Sequence, residues 1–241
     1  MASEFYDMKS FLDGRSSLNE IELELLGDLK NKSVCHLQCH FGQDTISMAR
    51  LGAKVTGIDF SDEAIKQAKC LTKQLNLPAQ FICSDIYSID IEQKFDIVFA
   101  SYGVLGWHPD VSRWMKVAKS LLNDQGRLVL VEFHPFVWMF DRKMQNIEFS
   151  YFNLAPIVEQ VSSSYTDGSD DKVATEIGWN HSLSDIFMAA LDNNLSITRF
   201  NEYPVSPYDC FDNMVKVSGG YQFKDLVDKV PLVYALEATS V

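Results

Sequence analysis

Two cysteines and two histidines fall within six residues of the stretch VCHLQCHFGQD, Val34 to Asp44: Cys35, His36, Cys39 and His40. Thiolate and imidazole are zinc ligands, and Cys-x-x-Cys-His attaches haem covalently. The spacing argues against both. Three residues separate Cys35 from Cys39, one too many for the haem motif, and no second ligand pair follows, since Cys70 falls in a helical pattern and Cys83 at a strand end. Read as a strand, the run sends Cys35, Leu37 and Cys39 to one face and His36, Gln38 and His40 to the other. The ligand set is split, and no metal is expected.

A different chemistry follows from what comes next. Gly42 is succeeded by a helical pattern and then by a second strand ending at Asp59, 17 residues after that glycine. In a β-α-β unit this sets a tight turn against a ligand and a carboxylate opposite ribose hydroxyls. A pyrophosphate dinucleotide wants Gly-x-Gly-x-x-Gly at a helix N-terminus. The loop Gln38 to Asp44 has one glycine and an acid at the helix start, which disfavours a nicotinamide-dependent oxidoreductase. That enzyme class stays the alternative, together with a cofactor-binding regulator that does not turn over.

The elements that must position these residues are legible around them. SVCHLQC, KVTGID, AQFIC, FDIVFAS and GRLVLVEF read as five strands, joined by helical patterns in QDTISMARLG, SDEAIKQAKCLTKQLNLP and PDVSRWMKVAKSLLNDQG. Alternation of this kind predicts an α/β fold with a parallel sheet. In the second crossover Ser61 can cap, Asp62 and Glu63 suit the positive helix end, and Pro78 lies beyond the stop. SLNEIELELLGDL reads as a leading helix. Beyond Glu132 the regularity breaks through an aromatic, Ser- and Asp-rich stretch that includes the loop SSSYTDGSDDK. A helix from about Ser182 to Asn193, the strand LSITRFNEY, a long connection and the strand PLVYALEA follow. The expected division is one domain: a helical lead-in at 1–32, a cofactor core at 33–133, a substrate-side insertion at 134–180 and a C-terminal helix with strands at 181–241.

The 241 residues carry 21 Lys plus Arg against 33 Asp plus Glu, a formal charge of -12 that repels phosphate backbones and makes nucleic acid an unexpected partner. No apolar run approaches the ~18 residues needed to cross a bilayer, and the N-terminus lacks a signal-peptide pattern, so a cytoplasmic location is expected. Five cysteines at 35, 39, 70, 83 and 210 suit reduced thiols there.

From Val34 to Pro135 the chain resembles the class I S-adenosylmethionine-dependent methyltransferases, in a variant branch whose first motif is itself His-Leu-Gln-Cys-His-Phe-Gly. A weaker echo runs through GWNHSLSDIFMAALDNNLSITRFNE and PLVYALEA. Against the usual acidic-x-Gly-x-Gly-x-Gly, His36 replaces the acid, Gln38 and His40 replace the first two glycines, and Gly42 keeps the third. The resemblance implies a doubly wound, mostly parallel seven-stranded sheet with an antiparallel last strand, and S-adenosyl-L-methionine as cofactor. It implies that Asp59 holds the ribose hydroxyls, Phe60 packs on adenine, and Asp85 and Ile86 meet the adenine edge. Gln38, Cys39, His40, Gly42 and Gln43 would line the methionine end, with Ser101 near the amino-acid portion and Tyr102 and Trp107 near the methyl. Each also has a plain structural reading: turn-former, helix cap or core aromatic.

Methyl transfer needs positioning and exclusion of water more than it needs acid or base, unless the acceptor must lose a proton. For that task the candidates are His134 at the end of the fifth strand and His181 in GWNHSLSD, ahead of His108, with Tyr102 beside the reacting carbon. Phe136, Trp138, Phe140, Tyr151, Phe152, Tyr165 and Trp179 should line a pocket for a small-molecule methyl acceptor, or else make a contact in a homodimer.

Overall fold

The structure, a computed structural model, describes residues 8–141, 143–152, 155–161 and 174–241. Its strands are β1 (Ser33–Leu37), β2 (Lys54–Asp59), β3 (Ala79–Cys83), β4 (Phe95–Ser101), β5 (Leu122–Phe133), β6 (Ile157–Val161), β7 (Ala174–Gly178), β8 (Leu195–Tyr203), β9 (Met214–Val217), β10 (Gly220–Phe223) and β11 (Val233–Ser240). Its helices are α1 (Met8–Leu12), α2 (Glu20–Leu26), α3 (Gln43–Arg50), α4 (Asp62–Leu75), α5 (Val111–Ser120) and α6 (Leu183–Asp192). Seven strands form one sheet in the order β3-β2-β1-β4-β5-β11-β8, with β11 antiparallel to both β5 and β8 and the pairings from β3 to β5 parallel. This is the mostly parallel seven-stranded arrangement expected from the sequence. The winding reverses between β1 and β4, so a crevice opens at their carboxyl ends, where ligands of doubly wound sheets bind.

Alternating side chains of the central strands feed two faces. Cys35 and Leu37 join Trp114 and Met115 of α5 and Ile186 and Ala189 of α6 in one cluster, whereas Val34 packs with Leu25 and Leu26 of α2 and Met48 of α3. The helices carry their own punctuation. Ser61 accepts from Ala64 N–H, Asp110 from Arg113 N–H and Ser182 from Asp185 N–H, and Asn76 closes α4 in the left-handed region.

Three departures from the sequence reading are physical in origin. The leading helix is cut to Glu20–Leu26, because Asn19 and Glu22 close a capping box at its start and Gly27, at φ 60°, ends it. β5 starts at Leu122 rather than Gly126, its polar lead-in pairing with β4 through an irregular register after Phe95. The irregular insertion and the long connection each contain an antiparallel pair, β6 with β7 and β9 with β10. The loop SSSYTDGSDDK and Tyr165 lie outside the described residues.

His36 shows what the split faces do to an imidazole. Its Nδ1 lies 2.8 Å from Thr45 Oγ1, its ring stacks obliquely on Phe99, and burial pushes its pKa down to about 3. The unfolded chain takes up a proton near pH 6.5 that the folded chain refuses, so stability falls as the pH drops from about 6.5 towards 3. This residue alone contributes up to ~1.4 kcal/mol per pH unit in that window. Urea unfolding of His36→Leu at pH 7, 6, 5 and 4 should therefore show a pH dependence shallower than wild type by about one proton; identical slopes would mean that His36 titrates freely.

Candidate active site

The β1–α3 loop is built in left-handed backbone. Gln38 has φ 54°, His40 φ 50° and Gly42 φ 81°. These are the three positions where the motif has glycine, so the conformation persists where two of the glycines do not. A β-carbon on Gly42 would stand 2.5 Å from the Phe81 ring, which presses on the loop from β3; that position has neither steric nor torsional room for a side chain. Non-glycine residues in this region cost of order 1 kcal/mol and persist where surrounding contacts hold them.

Those contacts are visible. His40 N–H donates to Asp59 Oδ2 at 2.8 Å, and Ser61 N–H donates to Oδ1 at 2.9 Å, so one buried carboxylate clasps the loop to the end of β2. Each of its oxygens keeps a lone pair for a further donor. The Gln38 side chain reaches the stretch after β4, its Nε2 donating to Val104 O at 3.0 Å and its Oε1 accepting from Trp114 Nε1 at 2.9 Å. Within the loop, Cys39 N–H donates to Ile58 O and Gly42 N–H to Cys39 O, both at 3.0 Å. Beside it Phe60 is 77% exposed, an unpacked ring between the Asp59 clasp and the exposed Asp85.

Other sequence-predicted residues are placed differently. The Cys39 side chain is buried with Ile46, Ile65 and Phe81, and Gln43 is buried with its amide on the Met8 thioether, so neither side chain faces the crevice. Asp85 accepts from Tyr87 N–H and starts a short turn in which Ile86 is buried. Ser101 lies beside Asp44, a carboxyl that burial pushes up and that Ser17 Oγ reaches at 2.5 Å. Tyr102, at φ 48°, turns its phenol towards Glu22, another buried acid raised by burial. Trp107 is 55% exposed on the far lip.

The histidines separate clearly. His134 Nδ1 accepts from Phe136 N–H at 3.1 Å, which puts the proton on Nε2, and Nε2 donates to Glu202 at 2.9 Å. Both nitrogens are committed in this arrangement, which leaves the imidazole no lone pair for an acceptor's proton unless one of these bonds is exchanged. His181 Nε2 donates to His108 O at 2.7 Å, leaving Nδ1 as the acceptor nitrogen of a half-buried ring. His108 is held neutral by burial, its pKa pushed down to about 4, and its Nε2 donates to Gln38 Oε1 at 3.2 Å.

A further buried acid, like Glu22, escaped the sequence reading. Glu132, in the apolar run VLVEF, accepts from the backbone N–H groups of Gly103, Val104, Leu105 and Phe133. Burial pushes its carboxyl up while those four donors pull it back. A lone acid inside a strand this apolar was the available signal, since a carboxylate is buried only where donors await it. Among the described residues no three His, Cys, Asp or Glu side chains gather as a metal site, and no helix is long and apolar enough to cross a membrane.

Comparison with known proteins points the same way as the crevice. Residues 28–187 match the family described as "Methyltransferase domain". A ubiquinone biosynthesis O-methyltransferase of Coxiella burnetii is 34% identical over 101 residues, spanning 42% of this chain and 43% of the relative, so the chain spans less than half the length of that curated relative. A Listeria monocytogenes structure described as a putative S-adenosylmethionine-dependent methyltransferase superposes with TM-score 0.68 at 21% identity, covering 92% of this chain and 96% of the other. A Synechocystis magnesium protoporphyrin IX methyltransferase with bound S-adenosylhomocysteine gives 0.55 at 19% identity, covering 100% and 95%.

Proposed function

Since the chain belongs to the methyltransferase domain family, we propose that it transfers the methyl group of S-adenosylmethionine to a small molecule. The observation that carries the reading is the clasp of the buried Asp59 carboxylate on the left-handed loop at the end of β1. These residues fit the cofactor. Asp59 has lone pairs for ribose hydroxyls, the exposed Phe60 ring offers a face to adenine, and Asp85 stands at the end of β3 for its amino group. When bound, the cofactor supplies an electrophilic methyl carbon on a sulfonium.

The protein's own part is to orient the acceptor and exclude water. A cavity of about 440 Å³ lies between the segment after β5 and the β9–β10 hairpin, walled by Phe136, Phe140, Met144, Phe223, Leu226 and Val230 and by the polar Gln145, Asn213, Lys224 and Asp225. Ring contacts run from Tyr102 through Phe133 and Phe211 to Phe223, joining the end of β4 to that cavity by an apolar wall. An acceptor with an apolar body and a polar or charged group suits this lining; the Coxiella relative is named for ubiquinone biosynthesis and the Synechocystis structure for magnesium protoporphyrin IX. If the acceptor must lose a proton, His181 Nδ1 is the base that this geometry leaves available.

Transfer of labelled methyl from S-adenosylmethionine across a panel of phenols, carboxylic acids and amines tests the activity. No labelled product, together with no calorimetric heat at millimolar cofactor, would remove the proposal. Once an acceptor is found, His181→Ala is expected to lower kcat by about 100-fold at pH 7 if that acceptor is protonated, the usual size for a general base. His134→Gln should leave kcat within a few-fold; the opposite ranking would restore His134 as the base.

A further inference from the structure

The amide of Gln38 spends all its bonds on one neighbour. Val104 O, His108 Nε2 and Trp114 Nε1 all belong to the stretch that follows β4 and runs into α5. That stretch is itself gripped from the opposite side, where Glu132 takes its N–H groups at Gly103, Val104 and Leu105. It is also the part of the core that touches the acceptor side: Trp179 N–H donates to Gly106 O at 2.9 Å and His181 Nε2 to His108 O. A displacement of the insertion after β5 or of the head of α6 therefore reaches Gln38 within two hydrogen bonds. Through the Gln38 peptide it then reaches the loop that Asp59 clasps.

A glycine at position 38 would hold the same backbone angle at lower strain but could not make this connection. We infer that Gln38 is a positioning residue, a strut through which the acceptor-side stretch 103–114 sets the geometry of the cofactor loop. Cofactor affinity and the packing of that stretch are then thermodynamically linked, and the linkage runs both ways. The inference rests on S-adenosylmethionine being the cofactor.

A double-mutant cycle on the binding of S-adenosylhomocysteine, read by calorimetry on the full chain, tests it without any knowledge of the acceptor. Trp114→Phe deletes the indole N–H while keeping an aromatic ring in the core. In the wild-type background it is expected to weaken binding about fivefold, the worth of one hydrogen bond. In a Gln38→Gly background, where there is no strut to loosen, it should change affinity by less than about 1.5-fold on the same reasoning. Equal factors in the two backgrounds, or no effect of Trp114→Phe in wild type, would overturn the strut. Should Gln38→Gly fail to fold by circular dichroism, Gln38→Met keeps length and bulk without the amide, and the same cycle is read in that background. Wild-type protein that binds no S-adenosylhomocysteine defeats the cofactor reading itself, whereas binding with additive effects defeats only the strut.

Discussion

Replacing Glu132 by alanine is expected to lower the melting temperature by about 10 °C. The reasoning starts from what the carboxylate holds. Gly103, Val104, Leu105 and Phe133 all direct backbone N–H groups at it, and Val104 and Leu105 are buried. A buried donor left without an acceptor costs about 1–3 kcal/mol, and water entering the new space satisfies some of them, so the sum is about 3–5 kcal/mol. For a chain of this size each kcal/mol moves the melting point by roughly 2–4 °C. Glu132→Gln keeps the volume and one acceptor oxygen, and its loss should be about half as large. Differential scanning calorimetry of the three proteins checks both. If alanine and glutamine melt alike and within 2 °C of wild type, the N–H groups do not depend on this side chain.

Asp59→Ala should abolish most of the affinity for cofactor while costing less stability than Glu132→Ala. Two hydrogen bonds from ribose to a carboxylate, each worth about 1.5 kcal/mol or more, correspond to roughly a 100-fold rise in Kd. Part of that loss is indirect, because the same carboxylate holds His40 N–H and Ser61 N–H. Asp85→Ala offers the contrast: its side chain is exposed and caps only Tyr87 N–H, so it should weaken binding by no more than about tenfold. Titration calorimetry with S-adenosylhomocysteine measures all three. An Asp59→Ala protein that binds within twofold of wild type would move the ribose site away from β2.

The core of this fold was readable because its signals are local. Alternating apolar runs and helix caps such as Ser61 and Asp110 mark β1 to β5 and the crossovers between them, and Asp59 stands out as the acid that ends a buried strand. What was not readable depends on contacts far apart in the chain. The two small antiparallel pairs form from residues with no regular apolar alternation, and β6 and β7 leave Val158 and Ile177 exposed, so a pattern of inside and outside barely exists there. His134 looked like a base because it ends a central strand; its partner Glu202 lies 68 residues away. Gln43 and Cys39 sat in the right motif, yet the rotation of α3 and the curl of the loop aim their side chains into the core.

The left-handed loop also bears on how a ligand is captured. Glycine-rich loops are loose before a ligand arrives and lose that freedom on binding, an entropic toll that a pre-ordered loop has already met in folding. With Gln38 anchored and Gly42 seated on Phe81, little disorder remains here to be lost. Cofactor association should accordingly be rapid and carry a small entropy penalty, with discrimination between the methylated and demethylated cofactor left to the methyl group's own surroundings rather than to loop closure.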